Sequence, residues 1–101
     1  MKGKEVRDFV EAYGALEQGC DFALVPATDH NIHGFRVVMN QGPLTQTAQK
    51  TEGFQRNAPA GFFSLFINRP PLAQCYLVEE ERPEIILQKL RSAGLDVELK
   101  N

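Results

Sequence analysis

Three residues of this chain have side chains suited to holding a divalent metal ion: Asp29, His30 and His33. Imidazole nitrogens and carboxylate oxygens are both ordinary ligands of zinc and related ions. A site needs three or four convergent ligands. Asp29, His30 and His33 supply three, and Cys20 or Cys75 would be the fourth. On a loop, spacing does not fix geometry as it does for two histidines one helical turn apart. The other reading is conformational. Thr28-Asp29-His30-Asn31 joins two apolar runs, and Asp and Asn bond their own backbone and tolerate positive φ in turns. Metal ligation and turn formation both remain open here, and no cofactor is expected.

Nucleophilic chemistry finds less support. Cys75 sits inside an alternating apolar run, where a thiol is usually buried and inert. Ser64 lies among phenylalanines, with no glycine-framed turn to present it. No glycine-rich loop suited to cradling phosphate occurs elsewhere. No catalytic residue is therefore assigned. Glu79, Glu80, Glu81 and Glu84 form an acidic cluster that would draw a basic partner or simply stand solvated, and the same charges disfavour phosphate at the helix start they surround. Phe54, Phe62, Phe66 and Tyr76 are candidates for a protein interface. Phe62, Phe63 and Phe66 have the rings to stack nucleobases. A net charge of −2 with scattered Lys and Arg does not provide the basic surround, so nucleic acid is not an expected partner.

The elements that must position these residues read as α+β. Lys4 to Gln18 carries Val6, Phe9, Val10, Tyr13 and Leu16 at helical intervals, which predicts an amphipathic helix stopped by Gly19. Phe22 to Val25 is a short apolar run closed by Pro26, and Gly34 to Asn40 alternates; both predict strands. Gln41 to Gly61 is a long polar loop or insertion without clear period. Phe62 to Ile67 is the most apolar run and predicts a strand covered on both faces or meeting another subunit. Leu72 to Glu79 alternates as a strand. Pro83 suits the first turn of a helix, and Ile86, Leu87, Leu90 and Ala93 form its buried stripe. Gly94 fits the left-handed position past the helix end, with Leu95 folding back on Leu90. Leu95, Val97 and Leu99 then alternate with Asp96 and Glu98. The expected architecture is one domain over residues 1–101: a mostly antiparallel sheet of four or five strands with two helices on one face, ending in a ferredoxin-like-type strand–helix–strand unit.

That last unit, Val78 to Leu99 with Arg82-Pro83 at the helix start and Ala93-Gly94-Leu95-Asp96-Val97 at its exit, resembles the first strand–helix–strand of the small regulatory ACT domains. The likeness covers about a quarter of the chain and departs from the family at Glu84, where glycine usually follows the proline. It implies a dimeric small-ligand sensor with a metabolite held at the seam, and it carries over no ligand residue.

Composition bounds the rest. The chain has 101 residues, 43% hydrophobic and 24% charged, as in ordinary globular domains rather than disordered ones. No run approaches the roughly 18 consecutive apolar residues of a membrane helix, so no membrane association is expected. Two cysteines are too few for a disulfide framework, and no apolar leader core is evident, so a cytoplasmic setting is expected. The leading functional expectation is a small non-enzymatic binding or regulatory protein, an inhibitor or accessory subunit, that pairs with itself as a homodimer or with another protein. The alternatives are a metal-assisted small-molecule enzyme built on Asp29, His30 and His33, and a dimeric ligand sensor.

Overall fold

The computed structural model of the chain describes residues 2–28, 33–40, 62–65 and 72–100. Its elements are β1 (Lys2–Glu5), α1 (Phe9–Glu17), β2 (Phe22–Ala27), β3 (Gly34–Asn40), β4 (Phe62–Leu65), β5 (Leu72–Val78), α2 (Pro83–Ser92) and β6 (Glu98–Leu99). The strands form one six-stranded sheet in the order β4-β5-β3-β2-β1-β6. The pairs β2–β3, β3–β5 and β4–β5 are antiparallel, while β1 runs parallel to both β2 and β6. The fold is thus α+β with a mixed, mostly antiparallel sheet and two helices, as the sequence pattern predicts.

Two details differ from expectation. The first is β1. Lys2-Gly3-Lys4-Glu5 has neither alternation nor β-branched residues, and reads from sequence as the approach to a helix. It is a strand because it is held on both sides, by Phe22–Leu24 of β2 and by Glu98–Leu99 of β6. Gly3 is buried, and a Cβ there would run into the Phe22 ring. The helix begins later, at an Asp8 cap whose carboxylate accepts the Glu11 backbone N–H at 2.9 Å. Glu11 in turn accepts the Arg7 backbone N–H at 3.0 Å and two guanidinium N–H groups of Arg7 at 3.1 and 2.9 Å. This is the reciprocal arrangement of a capping box, with the return bond shifted one residue back. It holds the Glu11 carboxyl below its ordinary range, chiefly through the Arg7 backbone N–H and next through the Arg7 side chain.

The second difference is that the helices lie on opposite faces of the sheet. α1 packs through Ala12 and Leu16 on Ala23, Val25, Val38 and Cys75. α2 packs through Ile86, Leu87 and Leu90 on Phe22, Leu24, Phe35, Val37, Met39, Tyr76 and Val78. The physical reason is direction of travel. The crossover β1–α1–β2 steps one way along the sheet, and β5–α2–β6 returns the other way past β3, β2 and β1. Strand–helix–strand crossovers share one hand, and two crossovers of one hand that travel in opposite directions must cover opposite faces.

Both helices end alike. Gly19 and Gly94 have φ of 104° and 97°. At the first, Cys20 N–H bonds Ala15 O (3.0 Å) and Gly19 N–H bonds Leu16 O (3.1 Å); at the second, Leu95 N–H bonds Leu90 O (3.1 Å) and Gly94 N–H bonds Arg91 O (2.9 Å). Each is a Schellman ending, and the residue after each glycine, Cys20 or Leu95, is buried. Leu90 and Leu95 sit in the same core cluster, as the sequence predicts. Burying a leucine or isoleucine contributes about 1.5–3 kcal/mol, so this stripe is a main support of α2. Arg91 adds a clasp, its Nε and Nη2 donating to Val97 O at 3.0 and 2.8 Å.

Candidate functional site

The fold offers two surfaces that side chains could use. The first is an open hollow of about 250 Å³ lined by Pro26, Ala27, Thr28, His33, Gly34, Phe35 and Glu81. It lies at the carboxyl end of β2, beside the start of β3 and the segment that leaves β5. Glycine is required here because a Cβ at Gly34 would be driven into the Val78 carbonyl oxygen and would lie 2.9 Å from the Glu80 nitrogen. That close approach lets β3 start against the turn after β5, where Glu80 N–H folds back to Val78 O at 2.9 Å. The turn carries Glu81 to His33, with Nδ1 4.0 Å from Oε1. Both side chains are largely exposed, and a pair this open and this long contributes little. Chemically, the hollow has an apolar floor with one imidazole and one carboxylate at its rim.

His33 is the one member of the predicted metal set that the structure places. Asp29 and His30 lie outside the described residues. Among those described, no three His, Cys, Asp or Glu side chains converge where a metal ion would sit. Cys20 and Cys75 are both free and buried, Cys20 after α1 and Cys75 on the face covered by that helix. Burial pushes the Cys75 thiol up to about 11, so at neutral pH it is protonated and unreactive, as its position in the sequence suggests. Of the acidic cluster, Glu80 is partly buried and holds Arg82 at 2.8 Å, while Glu79, Glu81 and Glu84 are exposed. The four carboxylates therefore share one turn without forming a common site.

Among the expected interface residues, Phe54 and Phe66 lie outside the described residues, and Phe62 belongs to edge strand β4. Tyr76 is corrected. It is 3% exposed and lies in the cluster beneath α2, so this chain's own helix covers the strand face that sequence alternation leaves free for a partner. Burial also raises the Tyr76 hydroxyl above its usual range.

The second surface is the outward side of α1, which pattern reading assigns only its inward stripe. Val10 is 80% exposed, the large hydrophobic residue that stands out among the described residues. A single exposed valine is ordinary, but its neighbours are not. Gly14, one turn on, has nothing within 4 Å of where its Cβ would be. Phe9 and Tyr13, half-buried and packed against the cluster beneath α1, lie at the edge of this surface with ring centroids 6.2 Å apart. Arg36 reaches up from β3 to place its guanidinium 5.8 Å from the Phe9 centroid, which fixes that ring by cation–π attraction. Glycine inside a helix destabilises it by about 1 kcal/mol relative to alanine, and no close contact among the described residues accounts for Gly14. Sequence periodicity places Val10 in the buried stripe of the helix, and this is corrected: α1 turns Ala12, Ala15 and Leu16 inward and leaves Val10 facing out.

No family model, curated protein or solved structure matches this chain. No helix among the described residues is long and apolar enough to cross a membrane.

Proposed function

We propose that this is a small binding or regulatory protein that acts through protein–protein contacts, and that the outward side of α1 is the contact surface. The observation that carries the reading is the pairing of exposed Val10 with open Gly14, flanked by Phe9, Tyr13 and Arg36. Protein interfaces favour aromatic and arginine side chains around a small apolar centre, and a helix laid against a partner uses residues one turn apart. Two buried, unpaired thiols fit a reducing intracellular setting. The hollow beside His33 is small for a ligand pocket, which typically encloses about 300–1,000 Å³.

The test is capture with tagged protein, using Val10→Asp as a matched control. Val10 is exposed, so the substitution should leave the melting temperature within a few degrees. The reading expects a discrete set of polypeptides retained by the wild type and lost with Val10→Asp. An identical retained set from both proteins, with both folded, overturns it.

A further inference from the structure

We infer that the partner at this surface is a second copy of the chain, joined by an antiparallel α1–α1 contact across a two-fold axis. The inference rests on the reading of α1 as a contact surface and adds the occupant. Its argument is self-complementarity. In an isologous pair the same patch meets itself, so residue i opposes j and j opposes i. Place the axis at the level of the buried Ala12, midway between Val10 and Gly14 on α1 and between Arg7, just before the Asp8 cap, and Glu17 at the helix end. Val10 then opposes the partner's Gly14, and Gly14 opposes the partner's Val10. Each exposed apolar side chain meets a position with no side chain, where the structure leaves open space. That accounts at once for the exposed valine and for a helical glycine with open space at its Cβ position.

The charges agree with the same axis. Arg7 opposes the partner's Glu17, and Glu17 the partner's Arg7. Arg7 is 88% exposed, and its bonds to Glu11 use Nε and Nη2, leaving Nη1 to donate outward. Glu17 is exposed at the last turn of α1. A parallel arrangement, or an antiparallel one with the axis over Val10, would set Val10 against Val10 and lose both matches. A helix of nine residues covers less than a standard interface, so the association belongs among weak, reversible ones.

Sedimentation equilibrium over a concentration series up to about 1 mM, high enough to populate a complex of that strength, tests this on the full chain. The expected result is a monomer–dimer equilibrium. Gly14→Leu fills the space Val10 needs and should abolish the dimer while the thermal melt stays at or above that of the wild type. Glu17→Arg sets like charges together twice and should weaken the dimer by at least about tenfold, the effect of about 1.4 kcal/mol. Combining it with Arg7→Glu should recover most of the affinity, because both pairs are then restored with reversed sign. A wild type that stays monomeric throughout, or a dimer that survives Gly14→Leu, overturns the inference. The two proposals fail separately: a monomeric wild type that still captures a Val10-dependent partner removes the second copy and keeps the contact surface, whereas loss of both removes the surface itself.

Discussion

Gly34→Ala should be among the most damaging single-methyl additions in this protein, and Gly14→Ala should stabilise it. At Gly34 the new Cβ would enter the space of the Val78 carbonyl oxygen and press on the Glu80 nitrogen at 2.9 Å. Both obstacles are backbone, so no rotamer change relieves them. β3 and β5 would have to part where Phe35 faces Val78, and the turn closed by Glu80 N–H on Val78 O would have to open. Overpacking of this kind costs about 1–3 kcal/mol, and each backbone hydrogen bond lost adds roughly 1 kcal/mol. A total near 3 kcal/mol is a large share of the roughly 5–15 kcal/mol that stabilises a typical domain. For a domain of this size it lowers the melting temperature by roughly 10–25 °C. At Gly14 an added Cβ meets nothing within 4 Å, so the variant gains helix propensity, up to about 1 kcal/mol, without any clash. Thermal unfolding followed by far-UV circular dichroism measures both variants against the wild type. If Gly34→Ala melts within about 2 °C of wild type, less than the shift produced by 1 kcal/mol, the close approach of β3 to the turn after β5 is wrong.

Three further expectations follow from particular contacts. Cys75 has its thiol raised to about 11 by burial and is protonated in the fold but ionised in the unfolded chain above about 9, so stability is unaffected below pH 9 and falls as pH rises through 9 to 11. The loss approaches 2–3 kcal/mol at about 1.4 kcal/mol per unit; urea titrations at pH 8 and 10.5 should show it, and Cys75→Ala should flatten the slope. Arg91→Ala removes two charge-assisted bonds to Val97 O and should cost about 1–2 kcal/mol; Arg91→Lys should rescue little, since lysine lacks the planar fork, and equal stability of Arg91→Lys and wild type would refute the clasp. Asp8→Ala removes the α1 cap at about 1 kcal/mol, whereas Asp8→Asn should restore most of it in the same unfolding assay.

Several elements were legible because a local rule governs each of them. Gly34–Asn40 and Leu72–Val78 alternate, Pro83 opens α2, and Gly94-Leu95 closes it in the predicted Schellman ending. Lys2–Glu5 was not legible, since its strand state comes from two neighbours distant in sequence. Asp8-Phe9-Val10-Glu11 did carry the capping signature that dates the helix start to Asp8 rather than Lys4, but helical periodicity ran through Val6 and masked it. Leu95 and Val97 alternate as a strand would, and both are buried, yet only Glu98–Leu99 reaches the ladder. The placement of the helices, and with it the burial of Tyr76, depends on strand order, which no local pattern encodes. Of the candidate site, His33 is found at the rim of a hollow beside a glutamate that is forty-eight positions away by number, 81 − 33. Such a pairing becomes visible only once β3 and β5 are neighbours.

The pairing of β1 with β6 has a consequence for how the protein breathes. Lys2 and Gly3 are matched with Glu98 and Leu99, a ladder of two residue pairs at the sheet's margin, whereas β3 is bound along its length on both sides. Amide hydrogen exchange should therefore be graded across the sheet, slowest at Val37 and Val38 and fastest at Glu98 and Leu99, because local openings take the least-supported segment first. When β6 lifts, the segment that carries Leu95 and Val97 loses its anchor, and the cluster beneath α2 is the next to meet water. The contact that joins the most distant parts of the sequence is then the latch for the larger of the two cores: last to close on folding, since the longest loop must be ordered before it forms, and first to open.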